Sequence, residues 1–208
     1  MPSVNTTREE TRRVAVVVAH PDDETLWAGG TLLLHPAWQL TIVSLCRASD
    51  PDRAPRFGRA CTALNAHGIM ADLDDGPDQR PLGAGLVGGK LLALLGVPDF
   101  DLLITHGGRG EYTRHRRHEE VGRAVALLVK RGIWSTGELW RFAYTDDARA
   151  ILPHPRPGAN LHVTLPPAVL AEKTRLIREV YGFAAESWEA RAVPAVEAFI
   201  RIRVKDNT

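Results

Sequence analysis

Acidic and imidazole side chains cluster at two places in the sequence. His20, Asp22 and Asp23 come directly after an apolar segment, and His115 and His118 lie near the start of a later amphipathic segment. Several acids close together repel one another, so a positive charge is expected among them. Two histidines and one carboxylate, with a fourth position left open, are a usual ligand set for a catalytic zinc ion. The residue types therefore favour a metal site.

The spacing of these residues supports the same chemistry. Asp23 follows His20 by three residues in a tight turn before a predicted helix, and His115 and His118 share one side of a helix start. Asp22 is then left beside the metal, where a general base takes a proton from water. Plainer interpretations stay open: the acids could cap a helix, and the two later histidines could lie on a solvated face.

Apolar β-branched segments must position these groups. Strands are predicted at Val14–Ala19, Leu40–Leu45, Phe100–Thr105 and Leu139–Tyr144, with a short edge strand at Ile69–Leu73. The first segment is apolar throughout, which is typical of a central parallel strand buried on both faces. In such sheets ligands bind beyond the carboxyl ends of the strands, where the histidines and acids occur.

Helices alternate with these strands. They are predicted at Thr25–Leu34 with Asp23 as N-cap, Arg56–His67 ending at Gly68, Leu86–Leu95, Arg116–Arg131 and Pro167–Tyr181. Ile151–Pro167 is rich in proline and is predicted to be an extended crossing, and Val193–Phe199 could add a strand. The alternation predicts an α/β protein: a three-layer Rossmann-like fold with a mostly parallel central sheet, and the active site at the C-terminal ends of its strands.

Composition limits the function classes. The chain has 208 residues, 44% hydrophobic and 25% charged, and a net charge of +1, which argues against nucleic-acid binding. No apolar run is long enough to cross a membrane, and no signal peptide precedes the first strand, so we expect a cytoplasmic protein with Cys46 and Cys61 reduced. We expect one domain over residues 1–208, with residues 1–11 flexible. The sequence leaves a homo-oligomer open.

The segments around the histidines resemble a known family. Ala19–Glu24, with the sequence AHPDDE, is similar to the signature of the zinc-dependent N-deacetylases related to N-acetylglucosaminyl-phosphatidylinositol deacetylase, the PIG-L or LmbE-like family. Three later segments occur in the same order, at Pro98–Gly107, Gly110–Tyr112 and His115–His118. The resemblance spans most of residues 14–130 and is weaker beyond.

The resemblance implies a role for each clustered residue. It implies one Zn²⁺ per chain bound by His20, Asp23 and His118, with Asp22 as general base and His115 steadying the oxyanion or protonating the leaving amine. Zinc would polarise the acyl carbonyl and lower the pKa of its water from 15.7 towards about 7. The implied reaction is amide hydrolysis.

Candidate substrate contacts are Arg56, Tyr112, His106 and Arg114. Arg56 matches the arginine of an Arg-x-x-Glu pair in relatives, but Arg59 stands where the glutamate is expected. Tyr112 lies three residues before His115, where relatives have two. His106 either stands behind a metal ligand or is a core histidine bonded to backbone.

Arginines surround the predicted site. Relatives commonly have Pro-Asp between the two histidines, where this chain has Arg116-Arg117. With Arg109 and Arg114 these side chains are expected to form a solvated patch, and a site that attracts an anionic group of the substrate stays open as the alternative. The substitutions leave the predicted metal ligands unchanged but bear on the substrate.

The leading hypothesis is a zinc hydrolase that removes an N-acyl group, most simply acetyl, from an amino sugar or a metabolite that contains one. An amidase acting on a thiol conjugate or an antibiotic precursor is the near alternative. Outside this chemistry, the chain could be a non-catalytic sugar-binding protein. It could also be a nucleotide-binding α/β protein that uses the glycines of Gly83–Gly88, although the usual strand does not directly precede them.

Overall fold

A seven-stranded sheet forms the middle of the protein. The computed structural model describes residues 11–112, 115–146 and 152–204. The sheet contains β1 (Arg13–Val18), β2 (Gln39–Ser44), β3 (Ala66–Met70), β4 (Asp99–Thr105), β5 (Ser135–Phe142), β8 (Leu161–Thr164) and β9 (Val196–Arg203), in the order β3-β2-β1-β4-β5-β9-β8. The first five strands of this order are parallel, and β9 and β8 are antiparallel to their neighbours. A separate pair joins β6 (Tyr144–Thr145) to β7 (His154–Pro155).

Helices cover both faces of the sheet. Among the described residues they are α1 (Asp23–Leu34), α2 (Arg53–Ala63), α3 (Ala84–Leu95), α4 (Arg116–Lys130), α5 (Pro167–Arg175) and α6 (Trp188–Arg191), with a π-helical turn at Leu176–Val180 after α5. The core cluster on one face includes side chains of α1, α2 and the π-helical turn, and the cluster on the other includes those of α3 and α4. The predicted three-layer, mostly parallel α/β fold is confirmed.

The central strand shows why the layers form. Val14, Val16 and Val18 of β1 pack into one cluster, and Ala15 and Val17 pack into the other. Alternate side chains of a strand point to opposite faces, so a wholly apolar strand needs cover on both sides. None of the described helices is both long enough and apolar enough to cross a membrane.

The helix predicted at residues 56–67 is shifted. It begins at Arg53, because the Asp50 side chain accepts the Asp52 and Arg53 amide N–H groups at 2.9 Å each. It ends before Asn65, which has φ 52°. Gly68 does not end the helix but lies in β3, where a Cβ would stand 2.8 Å from Cys61 Sγ.

Three predictions of local structure need correction. The N-cap position of α1 is Asp22 rather than Asp23, which is the first helical residue. The proline-rich segment predicted as an extended crossing contains the edge strand β8, and its first residue, Ile151, lies outside the described residues. The strand suggested at residues 193–199 runs later, over β9, because its backbone pairs with both β5 and β8.

Candidate metal centre and active site

The candidate site lies where the direction of strand addition reverses. Adjacent β1 and β4 end there, while the chain continues from β1 to β2 on the other side. The loop after β1 carries His20 and Asp22, α1 begins with Asp23, and the start of α4 carries His118. Crevices at such switch points are the usual ligand sites of open α/β sheets.

Three side-chain atoms of this site form a small triangle. His20 Nδ1 lies 3.1 Å from His118 Nε2, and Asp23 Oδ2 lies 3.3 Å from each of these nitrogens. Asp23 and His118 are buried and His20 is half-buried. Three groups of described residues could hold a metal ion, and they include His20, His115 and His118, and also Asp23, His106 and His118.

Carboxylates fix the outer nitrogen of each histidine in the triangle. Asp75 Oδ1 lies 3.1 Å from His20 Nε2, and Glu111 Oε2 lies 2.7 Å from His118 Nδ1. If these outer nitrogens carry the protons, the inner nitrogens present lone pairs to the middle of the triangle. Partners of this kind are typical of histidines that bind metals.

Two carboxylates respond oppositely to this environment. Burial opposes ionisation of Asp23, but the charge and hydrogen bond of His118 outweigh it and hold the pKa of Asp23 well below its usual range. Burial and the charge of Asp23 raise the pKa of Asp22 well above its usual range, with Arg53 opposing. Neighbouring carboxyl groups whose pKa values diverge in this way can take different chemical roles.

His115 occupies the N-cap position of α4 and faces both triangle histidines. Its ring lies 4.7 Å from that of His20 and 4.4 Å from that of His118, centroid to centroid. Burial and these two neighbours lower the pKa of His115 to about 4, so the imidazole is neutral at pH 7. His115 Nδ1 is buried and has no hydrogen-bond partner among the described residues.

A cavity of about 330 Å³ opens above these groups. It is lined by His20, Asp22, Asp23, His115 and His118 together with Arg47, Arg53, Asp75, Tyr112, Trp188 and Glu189. Tyr112, predicted as a substrate contact, therefore reaches the cavity. Its ring lies 4.5 Å from that of Trp188 and 5.8 Å from that of His118.

Two other predicted substrate contacts, Arg56 and His106, do not line the cavity. Arg56 donates instead to Asp52 and to the Tyr181 carbonyl, each at 2.7 Å. The arginine that lines the cavity is Arg53, which lies 3.0 Å from Asp22 Oδ2. His106 is fully buried, with Nε2 accepting the Ala19 N–H at 2.9 Å and Nδ1 3.0 Å from Glu111. Arg114 lies outside the described residues.

The arginines near the site do not form one solvated patch. Arg117 is buried and contacts Glu120 at 2.6 Å, the Arg80 carbonyl at 2.8 Å and the Asp74 carbonyl. Arg109 and Arg116 are exposed, as expected. Arg117 therefore anchors the loop before α3 to α4.

Sequence reasoning missed Arg53, Asp75 and Glu111. Glu111 was visible in the Gly-Glu-Tyr segment and Asp75 in an Asp-Asp-Gly turn, but nothing in the sequence joins them to histidines. The glycines of Gly83–Gly88 lie at the start of α3, and no strand directly precedes them. That placement gives no support to a dinucleotide site.

Comparisons with known proteins identify the fold. No protein-family model matches the sequence, and no curated protein does. N,N′-diacetylchitobiose deacetylase from Pyrococcus horikoshii, solved with its inhibitor MPG, has a TM-score of 0.69 and 14% identity, over 97% of this chain and 87% of that one. A deacetylase of the teicoplanin biosynthesis pathway, solved with teicoplanin, has a TM-score of 0.61 and 12% identity, over 91% of this chain and 99% of that one. At these identities the likeness shows a shared fold.

Proposed function

We propose that the protein is a zinc-dependent amide hydrolase that removes an N-acyl group, most simply acetyl, from an amino sugar or a metabolite that contains one. The observation that carries this proposal is the triangle of His20 Nδ1, Asp23 Oδ2 and His118 Nε2 beside Asp22. The shared fold adds support, because both solved structures described above are of deacetylases.

The donor set suits zinc. Ligands at zinc–nitrogen and zinc–oxygen distances of about 2.0–2.2 Å in a tetrahedron lie about 3.3–3.6 Å apart, close to the sides of the triangle. His20, Asp23 and His118 would hold one ion per chain and leave a fourth position towards the cavity. Asp23 is preferred to His115 as the third ligand because a carboxylate offsets part of the charge of the cation. Bound zinc would supply a Lewis acid and an acidified water.

Asp22 is the general base in this proposal. Asp22 lines the cavity, and burial beside Asp23 raises the pKa of its carboxyl group well above the usual range, which makes the carboxylate a stronger base. Arg53, 3.0 Å away, fixes its orientation and limits that rise. A proton taken from the attacking water would reside on Asp22 and then pass to the amine nitrogen as the C–N bond breaks, giving a free amine and a carboxylate.

His115 is suited to the developing oxyanion. A neutral imidazole can donate one hydrogen bond, and a donor aimed at the site of new negative charge stabilises the transition state. The pKa of about 4 favours this role over protonation of the amine, which requires a charged imidazolium. His115 therefore stays a catalytic residue in this proposal.

The cavity supports a small polar substrate. Its volume of about 330 Å³ is near the lower end for small-molecule sites, and Arg53, Tyr112 and Glu189 line it. An antibiotic precursor is the second candidate, favoured by the likeness to the teicoplanin-pathway deacetylase. We expect residues 1–208 to form one domain that carries the whole of this activity.

The test is acetate release from N-acetylglucosamine and N,N′-diacetylchitobiose by zinc-loaded protein. Asp22→Asn should lower kcat by about 10²–10⁴-fold, because general-base catalysis is worth that much, and should keep its zinc. Asp78→Asn, at an exposed position outside the cavity, is the matched control and should keep full activity. Full turnover by Asp22→Asn would refute the base assignment. Zinc-loaded wild type that binds these sugars without releasing acetate would indicate a non-catalytic sugar-binding protein.

A further inference from the structure

We propose that Glu24 and Tyr181 are positioning residues that hold the backbone of Asp22 so that its carboxylate faces the cavity. The inference rests on the proposed function of Asp22 as general base. It assigns a role to two buried polar side chains that neither line the cavity nor belong to the triangle.

The backbone of Asp22 needs external support. Its φ of 105° and ψ of −30° fall in a region that residues with a side chain rarely occupy. Such conformations persist at functional sites only where surrounding contacts maintain them. The Asp22 side chain makes no capping bond to α1, so the conformation is not explained by a helix cap.

Glu24 supplies a side-chain contact to that backbone. Its Oε2 accepts the Asp22 amide N–H at 3.1 Å, and the residue has no exposed surface. Its Oε1 accepts from the Tyr181 hydroxyl and from Thr25 Oγ1, each at 2.6 Å. The carboxylate is therefore hydrogen-bonded at both oxygens: Oε2 contacts Asp22, and Tyr181 and Thr25 hold Oε1.

Tyr181 is anchored in turn to α2. It directly follows the π-helical turn, and its carbonyl accepts from Arg56 at 2.7 Å. Arg53, one turn earlier on α2, contacts the Asp22 carboxylate at 3.0 Å. One helix thus holds Asp22 at two points, directly at its side chain and through Tyr181 and Glu24 at its backbone.

Tyr181→Phe tests this inference by removing one hydroxyl group. We expect kcat to fall about tenfold, as the base loses alignment, with KM changed less than about twofold and zinc content unchanged. Tyr144→Phe is the matched control: that hydroxyl is also buried, 3.1 Å from the Trp27 carbonyl and 3.1 Å from the Ala198 amide nitrogen. It should lose stability but keep its kcat.

Glu24→Gln and the double variant separate positioning from general destabilisation. Because Tyr181 acts through Glu24, Glu24→Gln with Tyr181→Phe should lose no more kcat than Glu24→Gln alone, whereas independent effects would multiply. Losses that multiply, or equal kcat for Tyr181→Phe and Tyr144→Phe, would overturn the inference.

Amide hydrogen exchange of Asp22 in zinc-free protein gives a readout that needs no enzymatic activity. Tyr181→Phe should raise the exchange rate of this amide about tenfold, while Tyr144→Phe should not raise it beyond the change in global stability. If wild type releases no acetate, the proposed function fails, and the exchange rates alone decide whether Glu24 and Tyr181 hold Asp22. Unchanged exchange in Tyr181→Phe would contradict the inference.

Discussion

The triangle histidines each use one nitrogen for the protein and leave the other facing inwards. His20 contacts Asp75 and His118 contacts Glu111 through their outer nitrogens. Arg47 and Gln79 in turn hold Asp75, at 2.7 and 2.9 Å. The orientation of both rings is therefore set before any metal binds, which lowers the cost of assembling the site.

Metal binding should release protons at neutral pH. Burial opposes a charge on His118, but Asp23 and Glu111 outweigh it and raise the pKa of His118 to about 10. A metal must displace that proton, so at least about one proton should leave per zinc bound at pH 7. For the same reason the affinity for zinc should fall about tenfold for each pH unit below neutral. Calorimetric zinc titrations in two buffers of different ionisation enthalpy measure the release.

His162→Ala is the control for this titration, because His162 is exposed on the edge strand β8, which β5 and β9 separate from β4 in the sheet. It should leave the proton release unchanged, while His118→Ala should reduce it. Zinc binding with no release of protons would show that His118 keeps its proton and is therefore not a ligand.

The sequence predicted the three residues of the triangle and the neighbouring Asp22, but not the side chains that surround them. His20, Asp22 and Asp23 are neighbours along the chain, and strand-end logic placed His118 near them. Arg53 was missed because its helix was predicted to begin three residues later, which left it in a loop, and because the resemblance to relatives pointed to Arg56. The contact of Asp75 with His20 joins residues 55 positions apart, and local pattern holds no information about it.

At the element scale, the approach of α4 to the end of β4 sets the position of His118. Gly122 of α4 packs so closely that a Cβ there would lie 2.4 Å from the His106 carbonyl oxygen. This contact lets the rings of His106 and His118 stack with centroids 4.1 Å apart. A backbone atom cannot move aside as a flexible side chain can, so the glycine is required.

Gly122→Ala should therefore separate α4 from β4. We expect a loss of about 1–3 kcal/mol or more in the free energy of unfolding, as for overpacked cores, and weaker zinc binding because His118 moves with its helix. Denaturant unfolding and zinc titration of the variant measure the two effects.

Gly58→Ala provides the matched control on α2. Nothing lies within 4 Å of a Cβ built there and the position is exposed, so alanine should raise stability by up to about 1 kcal/mol through helix propensity and leave zinc affinity unchanged. If Gly122→Ala behaved like Gly58→Ala, the proposed close contact would be wrong.

Strands buried on both faces were the elements most readable from sequence. The apolar run of β1 and the histidine after β4 predicted a central parallel sheet with its site at the strand ends. The antiparallel edge was less readable, because β8 lies in a proline-rich segment and owes its form to pairing with β9. Long-range pairing, rather than local propensity, determines such strands.

On the scale of the whole molecule, α1, which begins at the candidate site, is joined to the antiparallel end of the sheet. Glu197 of β9 is fully buried and accepts the amide N–H groups of Gly30 and Thr31 in α1, each at 2.7 Å. Lys173 of α5, also fully buried, contacts the same carboxylate at 2.7 Å. One buried ion pair thus joins α1, α5 and β9, and it supports the helix that begins with Asp23.

The central claim is that His20, Asp23 and His118 bind one zinc ion beside Asp22. Anomalous diffraction at the zinc edge, from crystals grown with zinc, tests it most directly. We predict one peak per chain within about 2.0–2.2 Å of His20 Nδ1, Asp23 Oδ2 and His118 Nε2. A peak instead among His20, Cys46 and Asp75, which form another group able to hold a metal ion, or no peak at the triangle, would contradict the claim.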